Sequence, residues 1–487
     1  MIRLDGLSVS YGPVPALDAI SLTVEPGECV LVTGPSGCGK STLGRAIAGL
    51  IPHAVATDVR GEVEVAGLDL RRSSIPDIAA RVGMVFQRPA SQLFHLTVEA
   101  EVAFGPHNLG LDEAEVRERV AWALDATGLG GLRHARPASL SGGQKQCVAI
   151  AASLAMRTSV LVLDEPTASL DVPNTRRVME VLGRLRDEHG ITIVLIEHRL
   201  AEAVRLAGRV ILMDAGRVIA DGDPAVVFAD RALRDRLGLR RPTDQPAVSW
   251  ESLIGDGAGA RPEGEALLTL DRVTAGFNGN AAIRDVSLRI RPGEFVALVG
   301  DNGAGKSTLA LVAAGLLRPQ SGTVRFDDGA RPRPGLDVAL LFQDPQDQLF
   351  TDSVDEELAF APTNYDRFDQ DLHARILREA GLTEVRARSP LAISVGQQQR
   401  TALASCLGLR PRLLILDEPT LGQDWGHLSR LMDYVATLNR AGTAILLISH
   451  DYKLVHHYAQ RLVLLREGRI EQVGTTHTRI SDLGGAP

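Results

Sequence analysis

Lysine is nearly missing from this chain: Lys40, Lys145, Lys306 and Lys453 are the only four in 487 residues, and arginine supplies the other cations. Aromatic residues make up only 4% and the net charge is −8, so nothing supports a basic groove in which bases stack on rings. No apolar run approaches the ~18 residues that a membrane-spanning helix needs. No heptad run is present, so no long coiled coil is expected. The opening Met-Ile-Arg-Leu-Asp-Gly reads as strand, with no secretion signal. Four cysteines, Cys29, Cys38, Cys147 and Cys406, show neither paired nor metal-type spacing, and the expectation is reduced thiols in a cytosolic protein. What remains is ordinary: 45% apolar and 23% charged residues in a chain long enough for two or three domains.

Two of the four lysines stand in the same sentence of sequence. Gly34, Pro35, Ser36, Gly37, Cys38, Gly39, Lys40, Ser41 and Thr42 follow the apolar run Cys29–Thr33, and Gly300, Asp301, Asn302, Gly303, Ala304, Gly305, Lys306, Ser307 and Thr308 follow Phe295–Val299. Both match G-x-x-x-x-G-K-[ST] in the strand, glycine loop, helix setting that gives this motif its meaning. Glycines let backbone N–H groups curl around a phosphate, and the helix starting at the lysine turns its positive end toward it. The lysine reaches the β- and γ-phosphates and the serine hydroxyl can ligate Mg²⁺. The alternative, a glycine turn that happens to precede a helix, does not explain the recurrence.

The recurrence extends along the chain. Leu17–Glu28 returns as Ile283–Glu294 at an offset of 266 residues, Val85–Phe94 as Leu341–Phe350 at 256, Leu161–Thr167 as Leu414–Thr420 at 253, and Ile196–His198 as Ile448–His450 at 252. Order is kept while the offset drifts, mostly through short deletions between residues 50 and 80, so this is a duplicated domain and not a solenoid. Strand-like runs alternating with helical stretches predict a mostly parallel sheet flanked by helices in each copy. The expected boundaries are 1–237 for the first domain, 238–265 for a flexible linker and 266–480 for the second.

Leu140-Ser-Gly-Gly-Gln-Lys-Gln146 precedes Leu161-Val-Leu-Asp-Glu-Pro-Thr-Ala-Ser-Leu-Asp171 by about twenty residues. That pairing resembles the nucleotide-binding domain of ABC ATPases, and the resemblance covers nearly the whole chain in both copies. It implies an α/β fold of two tandem P-loop NTPase (ABC-type) domains, each with a helical subdomain, that binds ATP with Mg²⁺ and hydrolyses it. By resemblance, Asp164 and Asp417 hold Mg²⁺, together with Ser41, Ser307, Gln87 and Gln343. Glu165 and Glu418 polarise the attacking water, Gln87 and Gln343 touch metal and water, and His198 and His450 are switch histidines near the γ-phosphate. Tyr11, with Phe277 as its counterpart, stacks on adenine. Family members pair head to tail, so the Lys306 loop is expected to be completed by Ser141, Gly142, Gly143 and Gln144, and the Lys40 loop by Ser394, Gly396 and Gln397. Val395 departs from the pattern where a glycine is usual, and a β-branched residue there is expected to resist the needed backbone freedom and slow the Lys40 site.

Outside the nucleotide motifs, both copies keep Gln-Leu-Phe, a valine–acid pair and Ala-Phe-x-Pro, in Pro89–Pro106 and Pro345–Pro362. This resembles the ATPases of energy-coupling factor transporters, as do Gly49–His53 and Ile196-Glu-His-Arg-Leu200. That likeness implies an importer ATPase at the cytoplasmic face of the membrane, working with a transmembrane coupling protein and a substrate-binding membrane protein to take up a vitamin, a vitamin precursor or a metal ion. Phe94 and Phe350 are then docking residues, unless they are core aromatics. An ordinary sugar or nutrient importer ATPase remains open, although there the second half usually has a degraded site and here Lys306, Asp417, Glu418 and His450 are all present. A tandem translation factor carries a long charged helical linker, and the linker here is short and slightly acidic.

Overall fold

A computed structural model of the chain describes residues 1–12, 14–55, 57–87, 89–168, 170–239, 250–255, 264–420 and 425–476. They fall into two compact units, Met1–Pro242 and Thr243–Pro487.

In the first unit, the apolar runs at Cys29–Thr33, Val160–Asp164 and Thr192–Ile196 form strands with every residue buried. Strands covered on both faces read as continuous hydrophobic runs, which is how these are written. In chain order the strands are β1 Ile2–Ser10, β2 Pro15–Val24, β3 Cys29–Thr33, β4 Asp58–Val65, β5 Leu68–Asp69, β6 Val82–Val85, β7 Val160–Asp164, β8 Thr192–Ile196, β9 Arg209–Asp214 and β10 Arg217–Gly222. The larger sheet has the order β10-β9-β3-β8-β7-β6, parallel except for β10. A second, antiparallel sheet has the order β2-β1-β4-β5. One core lies between the two sheets, around Ile2, Leu17, Val30, Leu43 and Ile211. The other lies between the parallel sheet and the helices Val98–Asn108, Glu113–Ala126, Gly142–Ala155 and Val172–His189, around Leu31, Val102, Ile150 and Leu182.

The second unit repeats this plan. Its strands are β11 Ile254–Gly255, β12 Leu268–Phe277, β13 Asn280–Ile290, β14 Phe295–Val299, β15 Ser321–Phe326, β16 Val338–Leu341, β17 Leu413–Asp417, β18 Ala444–Ile448, β19 Arg461–Arg466 and β20 Arg469–Thr476. The main sheet runs β11-β20-β19-β14-β18-β17-β16, and the antiparallel sheet β13-β12-β15 has three strands where the first unit has four. The deletions after the second glycine loop fall where the first unit builds β5 and the Ile75–Ala79 helix.

Within the stretch expected to be linker, residues 240–249 and 256–263 lie outside the described residues. Trp250–Leu253 is a 3-10 turn and β11 pairs with the edge strand β20. The Trp250 ring stacks on Tyr452 at 4.0 Å and 11°. An apolar ring and one strand pair give this short piece a place on the second unit that its Gly/Pro-rich surroundings did not signal. No helix among the described residues is long and apolar enough to cross a membrane.

Candidate active site

Each lysine motif lies between a fully buried strand and a helix, β3 to Lys40–Ile47 and β14 to Lys306–Ala313. The loop is pressed against the neighbouring strand, which is why its first residue has no side chain. Gly34 has φ 150°, and a Cβ there would stand 2.1 Å from the Met213 carbonyl oxygen on β9; at Gly300, φ is 142° and the Leu465 carbonyl oxygen on β19 would be 2.1 Å away. Such a contact cannot be relieved by rotating a side chain, so both positions are closed to every other residue. Lys40 is buried and its Nζ donates to the carbonyls of Gly34 (2.9 Å) and Pro35 (2.8 Å). Lys306 does the same with Gly300 (2.7 Å) and Asp301 (2.8 Å). The ammonium is thus fixed inside a ring of backbone, with the helix N-terminus behind it.

β7 and β17 end on the acidic pairs. Ser41 Oγ donates to Asp164 Oδ1 at 3.1 Å, and Ser307 bonds Asp417 in the same way. Burial pushes the Asp164 carboxyl up to about 6, with the charge of Glu165 adding to it and Ser41, Arg45 and Lys40 opposing. Burial also pushes Asp417 up. A buried oxygen donor set in which the anion is under-compensated fits a hard divalent cation, and Ser41 with Asp164, and Ser307 with Asp417, are the residues that would hold Mg²⁺. When bound, Mg²⁺ supplies positive charge to the phosphate oxygens during transfer.

The next residue in each unit is held in a left-handed backbone conformation, φ 48° at Glu165 and 50° at Glu418. A non-glycine residue there carries ~1–3 kcal/mol of strain and persists only where its surroundings over-determine it. Here the determinant is visible: the Glu165 N–H donates to the Ile196 carbonyl and the Glu418 N–H to the Ile448 carbonyl, both at 2.9 Å. In the first unit Gln87 Nε2 donates to Glu165 Oε2 at 2.8 Å, and His198 Nε2 stands 3.2 Å from Glu165 Oε1. Burial pushes the Glu165 carboxyl up, but His198, Lys40 and Arg199 outweigh it and the net shift is down. The carboxylate is therefore ionised at neutral pH, the form that can orient a water and accept its proton.

The second unit arranges the same residue types differently. His450 Nε2 lies 2.9 Å from Asn302 Oδ1, 3.3 Å from Lys306 Nζ and 3.5 Å from Glu418 Oε1. Glu418 Oε2 accepts from Ser449 Oγ and from the His450 N–H, each at 3.4 Å. Gln343 is on the exposed loop after β16.

The signature segments form identical helix starts. Ser141 caps the Gly142–Ala155 helix in a reciprocal box, its Oγ accepting from Gln144 N (3.3 Å) and Gln144 Oε1 accepting from Ser141 N (2.9 Å). Ser394 and Gln397 repeat it at 3.3 and 3.0 Å, at the start of Val395–Leu407. Gly142 is helical, with no positive φ, so Val395 occupies a backbone conformation any residue accepts. The expected backbone penalty at Val395 is absent; only its added bulk distinguishes it. Gly143 is the constrained glycine, since a Cβ there would meet Asn174 Oδ1 at 2.7 Å. Gly396 is buried at the equivalent place. Tyr11, just past β1, and Phe277, at the end of β12, are half exposed.

Sequence reasoning missed several polar residues that hold these elements. Glu101 is buried and its Oε2 accepts from the Phe94 and His95 N–H groups, both at 2.8 Å; Glu357 Oε2 accepts from Phe350 N, Thr351 N and Thr351 Oγ1. Gln92 Oε1 accepts from Phe86 N and Gln348 Oε1 from Phe342 N. Recurrence at the offset of 256 was the available signal for both pairs. Glu197 and Arg199 had no such signal, because the second unit has Ser449 and Asp451 there.

The profile of the family described as ABC transporter matches residues 17–168 and again 283–421. A protein of Methanosarcina mazei, provisionally named an ABC transporter ATP-binding protein, is 37% identical over 96% of this chain and 88% of its own length. One of Streptomyces coelicolor with the same provisional name is 37% identical over 96% of this chain and 93% of its own. Among solved structures, cbiO1 from Clostridium perfringens, described as part of the ABC transporter complex cbiONQ, is 35% identical with a TM-score of 0.43, covering 50% of this chain and 95% of its own. The chain belongs to the ABC transporter ATPase family, with two fused ATP-binding domains. It is an ATPase that uses ATP with Mg²⁺ and couples hydrolysis to transport.

Proposed function

We propose that this chain is the ATPase subunit of an energy-coupling factor type importer, bound peripherally at the cytoplasmic face of the membrane. It drives uptake of a vitamin, vitamin precursor or metal ion through a separate transmembrane coupling protein and a substrate-binding membrane protein. In this reading two ATP molecules are bound per chain, each glycine loop paired with the other domain's signature helix.

One observation carries the reading. Phe94 and Phe350, far from being core aromatics, are 65% and 62% exposed. Each meets a second exposed ring edge-on, Phe104 at 5.0 Å and 89°, and Phe360 at 4.8 Å and 88°. Exposed apolar rings cost solubility, so a built and repeated ring pair outside the nucleotide loop supports a partner that covers it. The loop beneath each pair is pinned by a buried carboxylate, Glu101 or Glu357. In the first unit Gln87, which donates to Glu165, and Gln92 lie at the root of that loop, so a push on Phe94 has a short path along the backbone and through one hydrogen bond to the hydrolytic carboxylate.

The test is mild-detergent purification of the tagged chain from its native membranes, with the co-purifying proteins identified by mass spectrometry. A small multi-spanning protein with a compact membrane binder is expected, and Phe94→Ala with Phe350→Ala is expected to release both while ATP binding persists. Recovery of large permease subunits with an external binding protein would move the chain to the ordinary importers. Ribosomal proteins without a membrane partner would defeat the importer reading.

A further inference from the structure

Glu197 is a second carboxylate beside Glu165, almost completely buried, with no place in the hydrolytic set described above. It sits one residue beyond β8, where Ile196 takes the Glu165 N–H and His198 follows. Its Oε1 accepts from the Thr167 N–H at 2.9 Å and from Thr167 Oγ1 at 2.6 Å, and its Oε2 from the His198 N–H at 3.2 Å. Arg199 crosses the same gap in the opposite sense, its Nη1 donating to the carbonyls of Thr167 (3.3 Å) and Leu170 (2.6 Å). Four bonds from two charged side chains therefore join the end of β8 to the segment running from Glu165 to Asp171. Asp171 in turn caps the Val172–His189 helix through Asn174, the residue packed against Gly143 of the signature.

An isolated buried carboxylate is expensive, and full pairing by donors on two elements is the arrangement that makes it tolerable and rigid. The second unit is wired otherwise: Ser449 Oγ reaches Glu418 itself, and Asp451 caps the Tyr452–Tyr458 helix. The asymmetry thus extends from the geometry of the glutamate–histidine pair to what supports it.

We propose that Glu197 is a positioning residue for hydrolysis in the first unit, locking the backbone of His198 to the Thr167–Asp171 segment so that Glu165 and His198 keep their 3.2 Å relation through turnover. It does not touch the reacting atoms. It acts by holding both residues' backbones in one hydrogen-bonded body.

The experiment uses the full-length chain with 8-azido-ATP, Mg²⁺ and orthovanadate, followed by proteolysis to assign label to each unit. Direct photolabelling reports nucleotide binding, and vanadate-trapped label reports a site that has turned over. Glu197→Ser, copying the second unit, and the isosteric Glu197→Gln are expected to cut trapped label on first-unit peptides at least ~fivefold, with direct labelling within about twofold. Glu197→Asp is expected to restore part of the trapping, since it keeps a carboxyl acceptor pair at a shorter reach. Trapping unchanged in both variants would overturn the proposal. So would direct labelling and trapping falling in parallel in Glu197→Gln, because Glu197 would then be supporting the fold or nucleotide binding rather than the hydrolytic geometry.

Discussion

At the scale of single residues, the loop glycines are not equivalent, and the difference is measurable. Gly34 needs both a positive φ and empty space toward Met213, whereas Gly37 has φ 80° with nothing within 4 Å of a built Cβ. Gly34→Ala is therefore expected to lose ~3 kcal/mol of stability and first-site nucleotide binding, while Gly37→Ala costs only the ~1 kcal/mol of a left-handed alanine. Urea unfolding of the two variants decides this, and equal losses would contradict it. Glu197 supplies a pH-dependent contrast. Burial pushes its carboxyl up from the ordinary 4.5 to about 7, with the charge of Glu165 adding and the Thr167 bonds and Arg199 opposing. The folded state then holds a proton that the unfolded state releases, so this group's contribution to stability is full at acid pH and falls as pH rises from about 4.5 to 7. Glu197→Gln removes that slope, while His198, Arg199 and Glu165, the charged neighbours, remain. The Tm of the variant is expected to gain on the parent steadily from about pH 5 to pH 7.5, and a constant difference between them would count against it.

At the scale of elements, helix starts and strand ends carry the site. The capping boxes at Ser141 and Ser394 agree within 0.1 Å in both bonds, 2.9 and 3.3 Å against 3.0 and 3.3 Å. Their removal should therefore cost alike: Ser141→Ala and Ser394→Ala are each expected to lose ~1 kcal/mol in denaturant unfolding, since the glycine or valine beside the cap is helical either way. A clearly larger loss at one of them would mean that Val395 strains its helix after all. The strand ends show why the sequence was so readable here. β7 and β17 are five buried residues that finish on an aspartate, and a parallel strand in such a sheet delivers its last residue to the ligand edge. The identity of the acid after it follows from the motif, but its left-handed φ does not.

At the scale of the whole chain, two units keep all the charged residues of hydrolysis and differ in what surrounds them. Val395 adds bulk where Gly142 has none, in the signature that the family resemblance assigns to the Lys40 loop. Phosphate release from Mg-ATP is accordingly expected to fall more in Glu418→Gln than in Glu165→Gln, and to vanish in the double variant. The reverse order would show the Lys40 site to be the faster one. The same comparison also weighs Glu197 and Arg199 against Ser449 and Asp451, a place where the duplicated domains have exchanged their supporting chemistry.

The sequence by itself determined the duplication, through order kept at a near-constant offset, and the glycine loops and acidic strand ends, because each of these is a short-range pattern in which spacing places a side chain. It also placed Phe94 and Phe350 on a repeated stretch, without saying whether they faced core or solvent. Only the tertiary structure decided that both are exposed and edge-paired, since exposure depends on what packs from elsewhere in the chain. The Ile196–Leu200 stretch stood out in the sequence, but the contacts of Glu197, Arg199 and Trp250 did not: their partners Thr167, Leu170 and Tyr452 are between about 30 and 200 residues away, and nothing local marks a contact of that range. Local motifs name the reacting groups, while the groups that hold them are chosen by whichever distant backbone the fold brings within hydrogen-bond reach.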